Sequence, residues 1–320
     1  MCKYLVTGGA GFVGSNVVLR LACAGERVRV VDNLATGFWE NLGEWRDSPA
    51  VECVTADIRD GEAMSKACRG VDVVFHLAAL GSVPRSVENP VESDSVNVGG
   101  TVTLLNAARH AGVHRVVFSA SSAAYGDTPV LPKQEDMPPR PLSPYAVSKV
   151  ADEHYLRVFS ALYGLETVCL RYFNVFGPNQ RPDGPYAAAI PRFTWAAIHQ
   201  QPVTLFGDGQ ITRDFCYVDN AVQANLLAAQ SSRSLGGNVI NIAGGRRVSL
   251  NELVAELGRV MGRALQILHT EPRPGDVRHS LADIQRAEDL LGYRPSIRWE
   301  DGLPRTIDYL RSLSQERGFT

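Results

Sequence analysis

The stretch TGGAGFVGS occupies residues 7–15 and places four glycines directly after the first predicted strand, YLVTG at 4–8. Residues without a Cβ weaken a core strand, so we infer that another molecule comes close to the backbone here. A glycine-rich turn between a strand and a helix also directs free N–H groups and the positive end of the helix dipole to one point. That arrangement favours binding of the pyrophosphate of a dinucleotide.

Gly8, Gly11 and Gly14 form a GxxGxxG pattern in which each glycine has a predicted task. The first allows the tight turn, the second admits the pyrophosphate to the backbone, and the third lets the helix pack closely on the sheet. Asp32 ends the second strand, RVRVVD, and is placed to accept a ribose 2′-hydroxyl and to repel a 2′-phosphate. The sequence therefore favours NAD over NADP. Asp57 ends the third strand and is placed to border the adenine, although a helix-capping role fits its spacing equally well.

The first half of the chain alternates apolar, β-branched runs with helical patterns. Further predicted strands are VECVTAD (51–57), VDVVFHLAA (71–79), HRVVFSAS (114–121), LETVCLRYF (165–173) and NVINIAG (238–244). Runs that are apolar on both faces are typical of strands covered by helices on each side. We therefore predict an α/β fold with a Rossmann-like, doubly wound parallel sheet.

The character of the chain changes after residue 175, where Gly and Pro punctuate the sequence. This change predicts a smaller, partly discontinuous α/β domain over the carboxyl ends of the strands. We place the dinucleotide-binding domain at 1–174 and 214–244, and the substrate domain at 175–213 and 245–320.

Composition argues against several classes of partner. A net charge of −2 gives no reason to expect nucleic acid or an anionic membrane, and no apolar run approaches the roughly 18 residues of a membrane span. The six cysteines lack a CxxC pair and are expected to be buried, reduced thiols. The seven histidines show no metal-binding spacing, and His76 is expected to be a satisfied core residue. With no signal peptide expected, we predict a cytoplasmic protein without a metal site.

The second group of candidate residues comes from SASSAAYG (119–126) and SPYAVSK (143–149). Tyr145 and Lys149 are four residues apart at the start of a predicted helix, so their side chains share one face. Taken alone, such a pair is more often part of a solvated helix face. Near a cationic nicotinamide, however, Lys149 would lower the pKa of the Tyr145 phenol toward neutrality and make it a general base. Ser121, at the carboxyl end of a strand, could hydrogen-bond the same substrate oxygen.

On these motifs the chain resembles the extended short-chain dehydrogenase/reductases, and within them the nucleotide-sugar epimerases. The resemblance covers the whole chain and rests on TGGAGFVG, Asp32–Asn33, HLAA (76–79), SVNVGGT (95–101), SSAAYG, YAVSK, RYFNVFGP, RDFCYVDN and RPGDVRHSLAD. GSVPRS (81–86) and GDVRHSLADI (275–284) are most similar to the UDP-N-acetylglucosamine 4-epimerases of bacterial surface-polysaccharide pathways.

The resemblance implies bound NAD, a UDP-hexose substrate and a set of residues for each. NAD would contact Gly8, Gly11, Phe12, Val13, Gly14, Asp32, Asn33, Gly37, Asp57, Ile58, Leu77, Ala78, Ala79, Asn97, Tyr145, Lys149 and Tyr172. The substrate would contact Gly81, Ser82, Arg85, Ser121, Ser122, Tyr145, Asn174, Ala188, Phe206, Gly207, Arg213, Arg273, Asp276 and Ser280. In these roles Arg213 and Arg273 clamp the diphosphate, although spacing alone fits surface charges equally well. Asp276 holds the uridine ribose, and Phe206 with Gly207 borders uracil.

The implied reaction inverts C4 of the sugar through a transient 4-keto sugar. Tyr145 would take the proton of the 4-hydroxyl while C4 gives a hydride to tightly held NAD⁺; the sugar then turns, and the hydride returns to its other face. Sugar 4,6-dehydratases of the family normally carry an Asp–Glu pair directly after the catalytic hydroxyl residue, and decarboxylases usually carry a Glu there. Ser122 and Ala123 occupy those positions here, so dehydration and decarboxylation are disfavoured.

Ser280 aligns with the position where glucose-only epimerases of the family carry a bulky tyrosine. A small side chain leaves space for a 2-N-acetyl group, so we predict a preference for UDP-GlcNAc and UDP-GalNAc. Ser280 could also merely cap a turn. The alternatives are a UDP-glucose or UDP-glucuronate 4-epimerase, in which Arg85 or Arg278 would meet the carboxylate, a reductase that releases its cofactor each cycle, or a non-catalytic dinucleotide-binding sensor.

The helices predicted around SVNVGGTVTLLNAARHAG and YAVSKVADEHYLRVFSALYG carry more apolar positions than one core-facing stripe requires. In the family that this chain resembles, the matching helices pair two subunits through a four-helix bundle. We therefore expect a homodimer.

Overall fold

The computed structural model describes residues 3–182, 187–271 and 277–316. The strands are β1 (Tyr4–Thr7), β2 (Val28–Asp32), β3 (Val51–Thr55), β4 (Val73–His76), β5 (Arg115–Ser121), β6 (Glu166–Tyr172), β7 (Val175–Phe176), β8 (Val203–Phe206), β9 (Thr212–Asp214), β10 (Cys216–Tyr217), β11 (Asn238–Ile242), β12 (Arg247–Ser249) and β13 (Ile267–Thr270). The α-helices are α1 (Phe12–Cys23), α2 (Gly61–Ala67), α3 (Val83–Glu88), α4 (Pro90–Asp94), α5 (Gly100–Ala111), α6 (Pro144–Tyr163), α7 (Ala189–Ile198), α8 (Val218–Gln230), α9 (Leu250–Met261), α10 (Gln285–Leu291) and α11 (Trp299–Glu316). Shorter 3₁₀ segments cover Trp39–Asp47 and Ser122–Tyr125, and a π-helical turn at Ser95–Gly99 leads into α5.

Seven strands form one sheet in the order β11-β6-β5-β4-β1-β2-β3, and every pair in it is parallel. The prediction of a Rossmann-like, doubly wound sheet is confirmed. The predicted late strand in NVINIAG is also confirmed, because β11 joins the edge of this sheet beside β6. A parallel sheet places the carboxyl ends of all its strands along one edge.

The strand order changes direction at the pair formed by β1 and β4. The chain passes from β1 to β2 and β3 on one side, and then returns to build β4, β5 and β6 on the other. At this switch point the N–H of Leu77 donates to the carbonyl of Thr7 at 3.1 Å. In open α/β sheets, ligands bind in the crevice outside the strand ends at such a point.

Hydrophobic cores cover both faces of the sheet. Val6 packs with Val18 of α1 on one face, whereas its neighbour Leu5 packs with Leu104 of α5 and Leu156 of α6 on the other. Alternate residues of a strand point to opposite faces, so a strand buried on both sides must be apolar throughout. This requirement explains the continuous apolar runs of the sequence.

The chain after residue 175 contributes short two-stranded pairings, β8 with β13 in parallel and β9 with β12 antiparallel, together with α7, α9 and α11. Single bridges from Lys133 to Ala282 and from Thr212 to His279 bring residues 277–284 over the carboxyl edge of the main sheet. The structure therefore has the smaller α/β layer that the sequence predicts. The boundaries that we placed between two domains stay a prediction.

Three of the cysteines, Cys68, Cys169 and Cys216, are buried free thiols, as expected. The expectation of burial is wrong for Cys23 and Cys53, which are exposed. Cys23 is the last residue of α1, and Cys53 lies on β3, the edge strand of the sheet, so each lies where the core ends.

None of the helices that the structure describes combines the length and the apolar character needed to cross a membrane.

Candidate active site

The glycine turn after β1 brings two backbone segments closer than side chains would allow. Gly8 has φ +70°, and its N–H donates to the carbonyl of Val31 at 2.8 Å. A Cβ on Gly8 would lie 2.6 Å from the backbone nitrogen of Ala78, and a Cβ on Gly14 would lie 2.1 Å from the carbonyl oxygen of Gly8. Only glycine therefore permits α1 to begin directly beside the turn.

The start of α1 opens into a cleft of about 600 Å³. Gly11 caps the helix without a side-chain hydrogen bond, which leaves the first-turn N–H groups to serve a ligand. The predicted cofactor residues that line this cleft are Gly8, Gly11, Phe12, Val13, Gly14, Asp32, Asn33, Ile58, Leu77, Ala78 and Ala79. We call this the dinucleotide cleft.

Asp32 is fixed at the wall of the dinucleotide cleft by backbone donors. Its Oδ2 accepts from the N–H of Ala10 at 3.0 Å, and its Oδ1 accepts from the N–H of Leu34 at 2.8 Å. Burial raises the pKa of this carboxyl, while the two hydrogen bonds oppose that rise. Gly37 does not line the cleft, but a Cβ there would lie 2.9 Å from Oδ2 of Asp32. Gly37 therefore makes room for the carboxylate that would accept a ribose hydroxyl.

Asp57 does not line the dinucleotide cleft. Its carboxylate accepts from Nε and Nη2 of Arg59, at 2.9 and 2.7 Å, and from Nδ2 of Asn33 at 3.0 Å. These contacts, led by the Arg59 hydrogen bond, lower the pKa of Asp57 to about 2. Asp57 thus holds Asn33 and Arg59, both of which do line the cleft.

Asn97 likewise does not line the dinucleotide cleft, but it supports a segment that does. It is buried, its Oδ1 accepts from the N–H of Leu80 at 2.8 Å, and its Nδ2 donates to Oγ of Ser148 at 3.0 Å. It therefore ties the cleft-lining segment around Leu80 to α6. His76 is buried between the hydroxyls of Thr7 and Thr101, at 2.7 and 3.0 Å, which confirms it as a satisfied core histidine.

The three predicted catalytic residues come together at the carboxyl end of β5. The side chain of Ser121 hydrogen-bonds the phenol of Tyr145. Lys149, one turn further along α6, is buried, and its Nζ donates to the carbonyl of Ser119 at 2.9 Å. The Oγ of Ser86 accepts from the backbone N–H of Tyr145 at 3.1 Å, which anchors the start of α6 to α3.

Burial is the largest influence on the pKa of Tyr145 among the protein's own groups. Desolvation raises the pKa of this phenol, and the hydrogen bond from Ser121 opposes the rise only in part. Burial also lowers the pKa of Lys149, which weakens the positive charge that we expected to act on Tyr145. Burial thus opposes ionisation of both groups. The lowering of the Tyr145 pKa by Lys149 together with a cationic nicotinamide stays a prediction.

A second cleft of about 700 Å³ adjoins the first, and the two share Phe12, Val13, Gly81, Ser119 and Gln180. Its lining includes the predicted residues Gly81, Ser121, Ser122, Tyr145, Tyr172, Asn174, Arg213 and Ser280. Tyr172 was predicted as a cofactor residue; its hydroxyl accepts from Nδ2 of Asn225 at 2.6 Å. We call this the substrate cleft; Ser121 lies two residues after Ser119, which both clefts share.

Some predicted substrate residues lie elsewhere. Ser82 and Ala188 line the dinucleotide cleft. Arg85 lines neither cleft and pairs with Glu92 at 3.5 Å. Phe206 and Gly207, at the end of β8, also lie outside both linings, and the N–H of Gly207 donates to the carbonyl of Thr270 at 2.8 Å.

Arg273 and Asp276 lie outside the described residues. Arg278 lines neither cleft, and its backbone N–H donates to Oδ1 of Asp127 at 3.1 Å.

Sequence reasoning missed a segment of the dinucleotide cleft formed by Asn179, Gln180 and Arg181. The Nδ2 of Asn179 donates to Oγ of Ser15 and to the carbonyl of Asn41, at 2.9 and 3.1 Å. These bonds hold the segment across the start of α1. The Gly- and Pro-rich stretch GPNQRPDGPY was the available signal, but it indicated only a change of domain.

Sequence reasoning also missed Lys133 and His279 in the lining of the substrate cleft. No carboxylate belongs to the lining that the structure describes for this cleft. Among the described residues, no group of three His, Cys, Asp or Glu side chains could hold a metal ion. The Lys and Arg side chains of the described lining are Lys133 and Arg213, so its permanently charged groups are cations.

A family model, the NAD dependent epimerase/dehydratase family, matches residues 4–243. The chain belongs to this family. The UDP-glucose 4-epimerase of Mycolicibacterium smegmatis is 40% identical to it over 315 residues, which cover 98% of this chain and 100% of that protein.

Solved structures are similar along the whole chain. The UDP-N-acetylglucosamine 4-epimerase from Methanobrevibacter ruminantium M1, in complex with UDP-N-acetylmuramic acid, matches with a TM-score of 0.93 and 38% identity, over 98% of this chain and 99% of that one. The UDP-glucuronic acid 4-epimerase from Bacillus cereus, in complex with UDP-glucuronic acid and NAD, matches with a TM-score of 0.90 and 32% identity, over 97% and 99% of the two chains.

The cofactor of the protein is NAD, and the dinucleotide cleft fits it. The missing Cβ atoms of Gly8 and Gly14 let α1 begin directly beside the turn, where its free N–H groups would bind a pyrophosphate. Asp32 would supply a fixed acceptor for an adenosine ribose hydroxyl, and its negative charge would disfavour a 2′-phosphate.

Replacing Gly14 by Ala should lower the NAD content of the purified protein and reduce its free energy of unfolding by about 1–3 kcal/mol, because the added methyl overlaps the Gly8 carbonyl. NAD released on denaturation and urea unfolding curves measure the two effects. Gly61→Ala is the matched control, since its Cβ meets nothing closer than Thr103 Cγ2 at 3.8 Å. Full NAD occupancy in Gly14→Ala would contradict the assigned role of this contact.

Proposed function

We propose that this protein, an NAD-dependent UDP-sugar 4-epimerase, prefers UDP-GlcNAc and UDP-GalNAc as its substrate pair. The observation that carries the proposal is that Ser121 and Tyr145 line the substrate cleft, which joins the dinucleotide cleft at Ser119, two residues before Ser121. Family membership and the UDP-sugar epimerases among the similar proteins support the reaction class. The sugar preference rests on the walls of the substrate cleft.

Bound NAD supplies a reversible acceptor for the C4 hydride. Tyr145 accepts the proton of the C4 hydroxyl in the oxidation and returns it in the reduction. Ser121, hydrogen-bonded to the phenol, orients the same sugar oxygen and passes the proton along. Lys149 stays behind them on α6, where its ammonium group favours the deprotonated form of Tyr145 to the extent that it keeps its own proton.

The substrate cleft must let the oxidised sugar turn without taking part in other chemistry. Ser122 and Ala123 follow the catalytic serine and present small side chains without an acid. With no carboxylate in the described lining, this wall offers no acid–base pair to remove water from the sugar. The cleft therefore supports inversion and disfavours dehydration.

Asn174 and Ser280 form one part of the wall of the substrate cleft. Ser280 is 9% exposed, and Nδ2 of Asn174 donates to its Oγ at 3.4 Å. Since both side chains are small and their positions are coupled, the wall leaves volume for an N-acetyl group as the sugar turns. We place the N-acetyl group of the substrate in this volume.

The UDP-glucuronate alternative draws on the cations of the substrate cleft, Lys133 and Arg213, and on the similar Bacillus cereus enzyme. Arg85 and Arg278 do not line the cleft, which removes the two residues that we had considered for a sugar carboxylate. We assign Arg213, which does line the cleft, to the substrate diphosphate instead. For these reasons we keep the N-acetylated pair as the proposal.

We also propose a homodimer formed through α6. Apolar side chains at Val147, Tyr155, Val158 and Leu162 form an exposed stripe at helical spacing along its outer face. The expected apolar excess on α5 is wrong, because its leucines are fully buried against the core. A second copy of the chain would cover the stripe on α6 and so complete a helix bundle.

Tyr145→Phe should lower kcat by about 10²–10⁴-fold and leave NAD content unchanged, since only the proton-accepting oxygen is lost. The assay incubates purified protein with each UDP-sugar and separates the two C4 epimers. Tyr155→Phe makes the same change on the outer face of α6 and should keep full activity. Undiminished inversion by Tyr145→Phe would overturn the mechanism, and the absence of inversion in the wild-type protein would favour the sensor.

Ser280→Tyr should abolish turnover of the N-acetylated pair and spare UDP-glucose and UDP-galactose, because the ring would fill the volume beside Asn174. Ser280→Ala keeps the volume and removes only the hydroxyl, so it should turn over both pairs. Rates measured on UDP-GlcNAc, UDP-glucose and UDP-glucuronate give the preference directly. If Ser280→Tyr converts UDP-GlcNAc at the wild-type rate, the assignment of this wall is wrong.

Leu162→Glu should convert the dimer to monomers, since it places a charge in the apolar stripe at a residue that is 71% exposed in one chain. Sedimentation velocity gives the mass. Val130→Glu introduces the same charge at a residue that is 58% exposed and lies in a loop away from α6, and it should leave the dimer intact. A monomeric wild-type protein would end this proposal.

A further inference from the structure

Asp152 lies one helical turn after Lys149 on α6 and is fully buried, with an exposure of 0%. Neither of its carboxylate oxygens has a hydrogen-bond partner among the residues that the structure describes. Thr101 faces the carboxylate from α5, but its hydroxyl donates to the carbonyl of Asn97 at 2.5 Å. Burial raises the pKa of Asp152 to about 7, and the positive charge of Lys149 is the largest influence that lowers it again. A buried carboxylate without hydrogen bonds is costly unless a positive charge compensates it, so its presence requires a reason.

Lys149 is a buried cation with few protein partners. It is 2% exposed, and its protein partners are the carbonyl of Ser119 at 2.9 Å and the ring of Phe118, 4.4 Å from Nζ. Burial lowers the pKa of Lys149, and Asp152 is the largest influence that raises it again. Each of the two buried groups therefore stabilises the charged form of the other.

The other acid beside Lys149 is already engaged. Both oxygens of Glu153 accept from Arg171, from Nε and Nη2, at 2.7 Å each. This bidentate pair is itself buried, and its charges largely cancel. Glu153 accordingly raises the pKa of Lys149 less than Asp152 does.

The other titratable groups around Lys149 and Asp152 do not supply a negative charge to balance the Lys149 ammonium. Cys169 on β6 is a buried thiol whose pKa lies well above its ordinary value, so it stays neutral. His76 on β4 has its pKa lowered to about 3 by burial and by Lys149, so it is uncharged at physiological pH. Asp94, at the end of α4, acts on Asp152 from an exposed position and raises its pKa. Among the described residues, Asp152 is thus the carboxylate left to balance Lys149.

We propose that Asp152 is a positioning residue for the epimerisation, whose carboxylate keeps Lys149 protonated and so sets the pH at which Tyr145 accepts the proton of the sugar hydroxyl. This inference rests on the proposed function. It adds a residue that touches neither substrate nor cofactor and that acts through Lys149 alone.

The direction of the effect separates two physical routes. If Asp152 acts through Lys149, its removal lets the ammonium lose its proton at lower pH, and Tyr145 then keeps its own proton to higher pH. If Asp152 acts on Tyr145 directly, its removal has the opposite result, because a negative charge nearby raises the pKa of the phenol. The first route is the one we propose, since Asp152 is the chief support of the Lys149 charge.

The test replaces Asp152 by Asn, which keeps the shape and removes the charge, and measures kcat against pH for the UDP-sugar that the wild type converts best. We expect the acid-side midpoint to rise by about 0.5–1 pH unit, with KM changed less than about twofold. Asp94→Asn removes an exposed carboxylate that acts on the same group and should leave the midpoint in place. Asp152→Glu should restore part of the wild-type profile.

A second measurement does not depend on turnover. The ionisation of Tyr145 is followed by tyrosinate absorbance in the NAD-loaded protein, as the difference between each protein and its Tyr145→Phe variant. The midpoint should move upward in Asp152→Asn. A downward shift, or a uniform loss of kcat with both midpoints unchanged, overturns the inference. If the wild type inverts no UDP-sugar, the proposed function fails, while this titration still decides whether Asp152 acts on the pair.

Discussion

The ammonium group of Lys149 is buried between α6 and the carboxyl half of β5, and the arrangement of the catalytic residues depends on keeping it there. A cation at this depth loses its hydration, so the fold must supply a carbonyl oxygen, an aromatic face and a negative charge in its place. The carbonyl of Ser119 fixes Lys149 two residues before Ser121 on the same strand. Tyr145 lies one turn earlier on the same helix. One buried contact thus sets the mutual positions of the three groups.

The glycine turn imposes the second constraint, and it acts through distance rather than charge. Because Gly14 lacks a Cβ, α1 begins against the carbonyl of Gly8, and its N-terminus lies at the switch point of the sheet. The linings of the two clefts meet at Phe12, the first residue of α1, and at Ser119 of β5. The helix that would hold the pyrophosphate and the strand that carries Ser121 therefore meet where the two clefts join.

Most of the fold could be predicted because its signals are local. Apolar runs, the glycine spacing and the pair Tyr145–Lys149 are each encoded within a few residues. Some predicted site residues do not line the clefts. Their positions are set by contacts with residues distant in sequence, or by which of several possible partners the side chain binds. Arg85 pairs with Glu92 instead of turning into the cleft, and Asp57 is held by Arg59. Burial raises the pKa of Tyr145, and burial depth is a property of the whole packed structure that the local sequence does not encode.

Buried contacts also hold the part of the substrate cleft that we propose distinguishes between sugars. The segment that carries Ser280 is fastened by Asp214, whose buried carboxylate accepts from the N–H groups of Gly244, Gly245 and Ala282 at 3.0–3.1 Å. The backbone carbonyl of Asp214 also accepts from Asn174 at 3.0 Å. The backbone segment that carries Ser280 and the side chain of Asn174 are therefore both held by the buried residue Asp214. The proposed selectivity at this position would then follow from the volume that the side chains of Asn174 and Ser280 leave.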